Sequence, residues 1–203
     1  MTQTTGAPTS STSAPLQPAP EGRGPLLQRD YWAVLAGCRL RPPEIAELVA
    51  ERFAQFPPAE LVRFSRSDGR EGPLAVGDLL DVEIALAGAC QVQVMHRDAN
   101  SLTLATLAGH PEAGRITFGA YRNPVDDVIF HIRSRARSRS RTCLIGFLAA
   151  GEAMQTNTWT DFVNHVAAAV GQGVMGVIRV ETTEVEETPE DLQAVPTFLA
   201  EGD

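Results

Sequence analysis

The chain has 203 residues, 43% of them hydrophobic, a length and composition that suit one soluble domain with a sizeable core. All 17 of its basic residues are arginine, and this absence of lysine excludes Schiff-base chemistry, a pyridoxal phosphate anchor and a phosphate-loop lysine. The net charge of −8 arises after residue 180, where eight of the 25 acidic residues lie, so the body of the chain is formally neutral.

The first 27 residues are rich in Thr, Ser, Pro and Ala, a composition that predicts a disordered leader. Residues 31 to 35 are typical of a short strand. The Arg-Pro-Pro run at residues 41 to 43 then opens a helix whose apolar residues keep helical spacing. Two further prolines end this helix, and we predict a second short helix over residues 59 to 64.

From Gly77 onward, apolar residues recur at every second position, which is typical of strands with one buried face. Turn residues divide the segment that ends at Ile132 into five strands of an antiparallel meander. A long final helix is predicted to begin near Thr142 and to carry Trp159 and Phe162 on one apolar face.

A strand, two short helices, a meander and a long helix form the element order of the helix-grip fold, an α+β architecture in which a curved antiparallel sheet wraps around the helix. We predict about six or seven strands in one domain over residues 28 to 180, followed by a largely flexible acidic tail over residues 181 to 203.

Three widely spaced cysteines and the absence of an early apolar segment predict a cytoplasmic protein without disulfides. No apolar run approaches the roughly 20 residues that a membrane-spanning helix needs.

The connection between the third and fourth strands of the meander carries the sequence Gly-His-Pro-Glu-Ala-Gly. Its two glycines can supply positive φ angles, and Pro111 keeps His110 out of the helical region. His110 and Glu112 would therefore lie together at one end of the sheet. Two interpretations follow: the pair acts as acid and base, or His110 bonds the backbone and holds the turn.

The spacing of His110 and Glu112 also begins a zinc deaminase signature. No Pro-Cys-x-x-Cys follows and no Cys pair has ligand spacing, so we predict no zinc site of that type. We also predict no other metal site and no cofactor.

The stretch around this turn resembles the uncharacterised family known as domain of unknown function nineteen-ninety, and the resemblance covers roughly residues 31 to 171. It is similar in layout to START and pollen-allergen-like ligand-binding proteins. The resemblance implies a helix-grip fold with a cavity, and it implies no established activity. The residues that carry it are Thr106, Leu107, Gly109, His110, Pro111, Glu112 and Gly114.

Arginine occupies every second position from residue 133 to residue 141, which in a strand places all five guanidinium groups on one face. This face could bind phosphate, RNA or the acidic tail, or it could be a solvated outer face that discourages edge pairing. Because no aromatic residues are interleaved for base stacking, the pattern disfavours a nucleic-acid partner. The candidate polyanion-binding residues are Arg133, Arg135, Arg137 and Arg139.

Large side chains on the final helix and on the concave face of the sheet are the candidates for contact with a small apolar molecule, although the same stripe could be ordinary core. These candidates are Phe118, Tyr121, Phe130, Met154, Trp159 and Phe162, with His110, Glu112 and Tyr121 as polar contacts. The leading hypothesis is therefore a protein that binds a small, mainly apolar ligand between sheet and helix. The alternatives are a cyclase- or dehydratase-like enzyme in the same cavity and an interaction module that uses the arginine face. The sequence leaves the oligomeric state open.

Overall fold

A computed structural model describes residues 14–85, 87–139 and 152–186. The strands are β1 (Arg23–Leu35), β2 (Val62–Arg66), β3 (Leu79–Ile84), β4 (Gly88–Arg97), β5 (Ser101–Thr106), β6 (Glu112–Arg122), β7 (Val128–Ser138) and β8 (Val174–Val185). The helices are α1 (Pro42–Arg52) and α2 (Glu152–Val170), and short 3-10 turns cover Ala19–Glu21 and Phe53–Gln55.

The eight strands form one antiparallel sheet in the order β2-β3-β4-β5-β6-β7-β1-β8. Strands β2 to β7 follow one another as a meander, and β1 lies beside β7. The predicted α+β helix-grip architecture is confirmed, because the sheet packs around α2 on one face. The five predicted meander strands correspond to β3–β7.

Helix α1 begins where the sequence predicts. Pro42 and Pro43 occupy its first turn, and the Glu44 carboxylate accepts the backbone N–H of Arg41 at 2.7 Å. This contact satisfies a donor that the helix itself leaves unpaired. Ile45 and Val49 then bury the inner face of α1 in the core.

Aromatic side chains fill the core between the sheet and α2. The Phe162 ring of α2 lies 5.0 Å from the ring of Phe118 and 5.4 Å from that of Phe53. It also stacks on the Phe130 ring, at 6.1 Å and an interplanar angle of 7°. Four phenylalanines from the sheet, α2 and the turn after α1 therefore join these elements.

Two predicted elements differ from the structure. The short helix predicted over residues 59 to 64 is wrong: residues from Val62 onward form β2, whose Val62 and Phe64 face the core and whose residues pair with β3. The first strand begins at Arg23, eight residues before the predicted start. Its early residues gain order by pairing with β7 and β8, which composition alone does not reveal.

Strand β8 follows α2 and was not predicted. Most of its residues are exposed on both faces, so its sequence lacks the apolar alternation of a half-buried strand. It pairs with β1 as far as Val185 and so includes the first residues of the predicted tail. Residues 1–13 of the predicted leader and residues 187–203 of the predicted tail lie outside the described residues, as does Arg141.

None of the helices in the described ranges is long and apolar enough to cross a membrane.

Candidate functional site

A cavity of about 470 Å³ lies between the concave face of the sheet and the N-terminal half of α2. Its volume falls within the roughly 300 to 1000 Å³ of typical ligand pockets. Apolar side chains of β2 to β6 form much of its wall, and they include Val62, Phe64, Val82, Ile84, Val92, Leu104 and Ile116.

Small residues on β7 leave this space open. Phe130 and Ile132 point inward and are fully buried in the core, whereas the next inward positions are Ser134 and Ala136, which line the cavity. The inner face of β7 therefore changes from large to small side chains along its length. Ala120, a small inward residue on β6, is instead buried in the packed half of the core.

The structure divides the predicted ligand-contact residues into two groups. Met154 and Trp159 line the cavity. Phe118, Phe130 and Phe162 do not, because their rings pack on one another and each is at most 1% exposed. For these three phenylalanines, the ordinary-core interpretation matches their position.

Tyr121 also lies away from the cavity, which corrects its placement on the concave face. Inward positions on β6 are even-numbered, as at Phe118, so Tyr121 faces outward. Its hydroxyl lies 3.3 Å from Nδ1 of His131, another outward side chain.

His110 and Glu112 both line the cavity at the turn between β5 and β6, but their side chains do not form an acid–base pair. Nδ1 of His110 lies 3.0 Å from the backbone nitrogen of Glu112 and accepts its N–H in the neutral ring. Burial lowers the pKa of His110 to about 4. The histidine is therefore neutral at pH 7, and the turn-holding interpretation matches its contacts.

Gln17, in the segment predicted to be disordered, stabilises this turn through hydrogen bonds. Its Nε2 donates to the backbone oxygens of His110 at 2.9 Å and Glu112 at 2.8 Å, and its Oε1 accepts the N–H of Gly109 at 3.2 Å. The backbone N–H of Gln17 also donates to the carbonyl of Thr106. The N-terminal segment thus holds the turn that lines the cavity.

The Glu112 carboxylate meets two side chains that reach it from either side. Oε1 lies 3.4 Å from Nη1 of Arg29 on β1. Oε2 accepts a hydrogen bond from Nε2 of Gln155 on α2 at 2.6 Å. Burial raises the pKa of Glu112, although Arg29 and Gln155 oppose the shift. Sequence reasoning missed Arg29, whose position opposite Ser134 places it on the inner face of β1.

We expect His110 to make the protein less stable in mild acid. The folded-state pKa is lowered to about 4 from 6.5, so the unfolded chain binds the proton first and stability falls as the pH drops through 6.5. Between about pH 7 and about pH 5, wild type should lose roughly 2 kcal/mol more than His110→Asn, which keeps an acceptor without titrating. Urea titrations at several pH values measure the difference. Parallel curves for the two proteins would contradict it.

The predicted arginine face lies on the outer side of the sheet, and each described member contacts a neighbour. The Arg133 guanidinium donates to Asp30 at 2.6 Å, that of Arg135 to Gln28 at 2.7 Å, and that of Arg137 to the carbonyl of Gly24. Arg139 instead donates to the carbonyl of Gly109 and lines the cavity. Three of these arginines thus join β7 to β1, which favours a structural role.

Asp30 is the centre of the outer-face contacts. Its Oδ1 accepts hydrogen bonds from His131 Nε2 and Arg133 Nε, both at 2.6 Å. Its Oδ2 accepts one from Gln28 Nε2 at 2.9 Å. Burial opposes ionisation of Asp30, but the hydrogen bonds from His131 and Arg133 outweigh it and lower the pKa.

Within the described residues, no three His, Cys, Asp or Glu side chains are placed to hold a metal ion. Burial raises the pKa of the Cys90 thiol to about 11, so this cysteine is a poor nucleophile at neutral pH.

One protein family matches the sequence over residues 51–173, the family described as Domain of unknown function (DUF1990). The matched segment begins in α1 and ends immediately before β8. No curated protein matches the chain.

Several solved structures are similar in fold. The KanY protein has a TM-score of 0.54 at 6% identity, over 73% of this chain and 99% of that one. A hypothetical protein from Helicobacter pylori has a TM-score of 0.52 at 7% identity, over 70% and 86%. A major latex-like protein from Panax ginseng has a TM-score of 0.46 at 13% identity, over 72% and 99%. At such identities the likeness concerns the fold alone.

Proposed function

The chain belongs to the family described as Domain of unknown function (DUF1990), and from the size and lining of its cavity we propose that it binds a small, mainly apolar molecule between the sheet and α2. The observation that carries this proposal is the volume of about 470 Å³ that the inner side chains leave unfilled. Protein interiors are normally packed without voids much larger than a water molecule. An apolar space of this size therefore suits a bound ligand.

The polar groups in the wall suggest how a ligand is oriented. Glu112 and Gln155 lie together at the β6–α2 side of the cavity, and Thr158 lines it one helical turn further along α2. An apolar molecule with one hydroxyl or amine could bond these groups while its remainder contacts β2 to β5. A few polar groups in an apolar wall are the usual means of fixing a ligand's orientation.

A cyclase- or dehydratase-like reaction is the second proposal, and the position of Glu112 favours it. A mostly buried carboxyl group with a raised pKa can retain a proton and donate it to a substrate in an apolar cavity. His110 would contribute as a neutral ring. Incubation of a recovered ligand with wild type and with Glu112→Gln separates the proposals: conversion by wild type alone supports an enzyme, and an unchanged ligand supports a binding protein.

Filling the cavity should abolish binding. Val92 lines the cavity on β4 and is 5% exposed, so Val92→Phe places a ring where a ligand would lie. We expect its affinity for the neutral fluorescent probe N-phenylnaphthylamine to fall at least about tenfold, because an occupied volume excludes the probe. Val125→Phe makes the same change at a site that is 75% exposed, and it should bind the probe as wild type does.

The native mass of gently purified protein provides an independent measurement. A defined extra mass that disappears on denaturation would support the binding proposal. A bare chain that also leaves the probe unbound in wild type would overturn it, whereas equal binding by wild type and Val92→Phe would place the probe outside this cavity and contradict the proposed site.

A further inference from the structure

Strand β8 forms one edge of the sheet. It pairs with β1 on one side, and no described strand pairs with its other side. Its 12 residues make a long edge, whose backbone N–H and C=O groups are a template for another strand.

The side chains of β8 are unusually apolar for an exposed edge. Val177 is 73% exposed, Met175 53% and Val180 44%. Arg179 and Glu181 are also exposed, and neither forms an ion pair with another described residue. The strand therefore presents β-branched side chains and two opposite charges that have no partner within the described chain.

We propose that β8 pairs antiparallel with β8 of a second copy of this chain, about a two-fold axis that passes beside Val180. Such an axis places each residue opposite the one equally far from Val180 on the other copy. Arg179 then faces Glu181 of the partner subunit, and the same contact occurs twice.

The neighbouring two-fold registers are less favourable. An axis beside Arg179 places that arginine opposite its own copy, and an axis beside Glu181 places two glutamates together. Like charges directly opposite one another destabilise a strand pair. Of these three registers, only the one about Val180 pairs opposite charges, and this self-complementarity favours a second copy as the occupant of the edge.

Reversal of these charges tests the proposal. Arg179→Glu and Glu181→Arg each turn both attractive pairs of the dimer into repulsive ones, so each variant should dimerise at least about tenfold more weakly than wild type. The double variant Arg179→Glu/Glu181→Arg recreates both pairs with their signs exchanged and should dimerise as wild type does. Sedimentation velocity from about 1 to about 500 µM measures the association, a range suited to a small interface. Near-UV circular dichroism checks that each variant is folded.

Three results would overturn the proposal. The first is a wild-type protein that stays monomeric throughout this range. The second is a double variant that is as weak as either single variant. The third concerns amide hydrogen exchange: protection of β8 should increase with protein concentration, and full protection at every concentration would mean that a segment of the same chain covers the edge.

Discussion

Replacement of Asp30 by alanine is expected to lower the free energy of unfolding by about 3 kcal/mol, because loss of one member of a buried ion pair leaves the other charge uncompensated. The Asp30 side chain is 9% exposed, and it accepts hydrogen bonds from His131, Arg133 and Gln28. This loss is at the lower end of the range for buried ion pairs. The side chain of Arg133 is 31% exposed, so water can solvate its charge once Asp30 is removed. Urea denaturation at neutral pH measures the loss.

An exposed pair supplies the control for this variant. Glu47, whose side chain is 56% exposed, pairs with Arg97, and Glu47→Ala should cost less than about 1 kcal/mol. A similar small loss for Asp30→Ala would contradict the central role assigned to Asp30. Because the pKa of Asp30 is lowered in the folded state, its contribution is present above pH 3.8 and disappears as the pH falls through the folded-state pKa.

Replacement of Gly114 by valine should cost at least about 3 kcal/mol or prevent folding, because β6 and β7 approach too closely there for any side chain. A Cβ atom at Gly114 would lie 2.2 Å from the backbone oxygen of Arg135 and 2.7 Å from Cα of Ala136. Both are backbone atoms of β7, so relief requires the strands to separate. The thermal midpoint and the yield of folded protein measure the effect.

Gly69→Val is the matched control. Gly69 has a φ of +67°, but a Cβ atom there would meet no atom within 4 Å. The substitution therefore carries only the conformational cost of a β-branched residue in the left-handed region, about 1 to 2 kcal/mol. If both variants lost the same stability, the close approach of the strands would not be the cause.

Local patterns were sufficient to predict the meander. Its strands are consecutive in the chain and paired through short turns, so the period of two and the turn residues contain most of the information. Strand β8 could not be found in this way, because it is exposed on both faces and acquires its structure from pairing with β1, about 150 residues away in the chain.

The cavity was only partly predictable. Small residues at inward positions of a strand, such as Ser134 and Ala136, are a signal of open space that can be read from the sequence. Which aromatic rings fill the remainder depends on how elements distant in sequence pack together. Tyr121 could have been assigned correctly, since the alternation that places Phe118 inward places Tyr121 outward. For Gln17 we find no signal, because its neighbours have the composition of a disordered segment.

The positions of the two tryptophans give the molecule two intrinsic optical reporters. Trp159 lines the cavity against the Phe118 ring, whereas the Trp32 ring lies 5.5 Å from His131 beside the Asp30 contacts. A molecule that enters the cavity displaces water near one indole and leaves the other unchanged. In Trp32→Phe, tryptophan emission comes only from the cavity, and in Trp159→Phe it comes only from the outer face. The occupancy of the cavity and the integrity of the outer face can thus be followed separately, without a label, in two single-tryptophan variants.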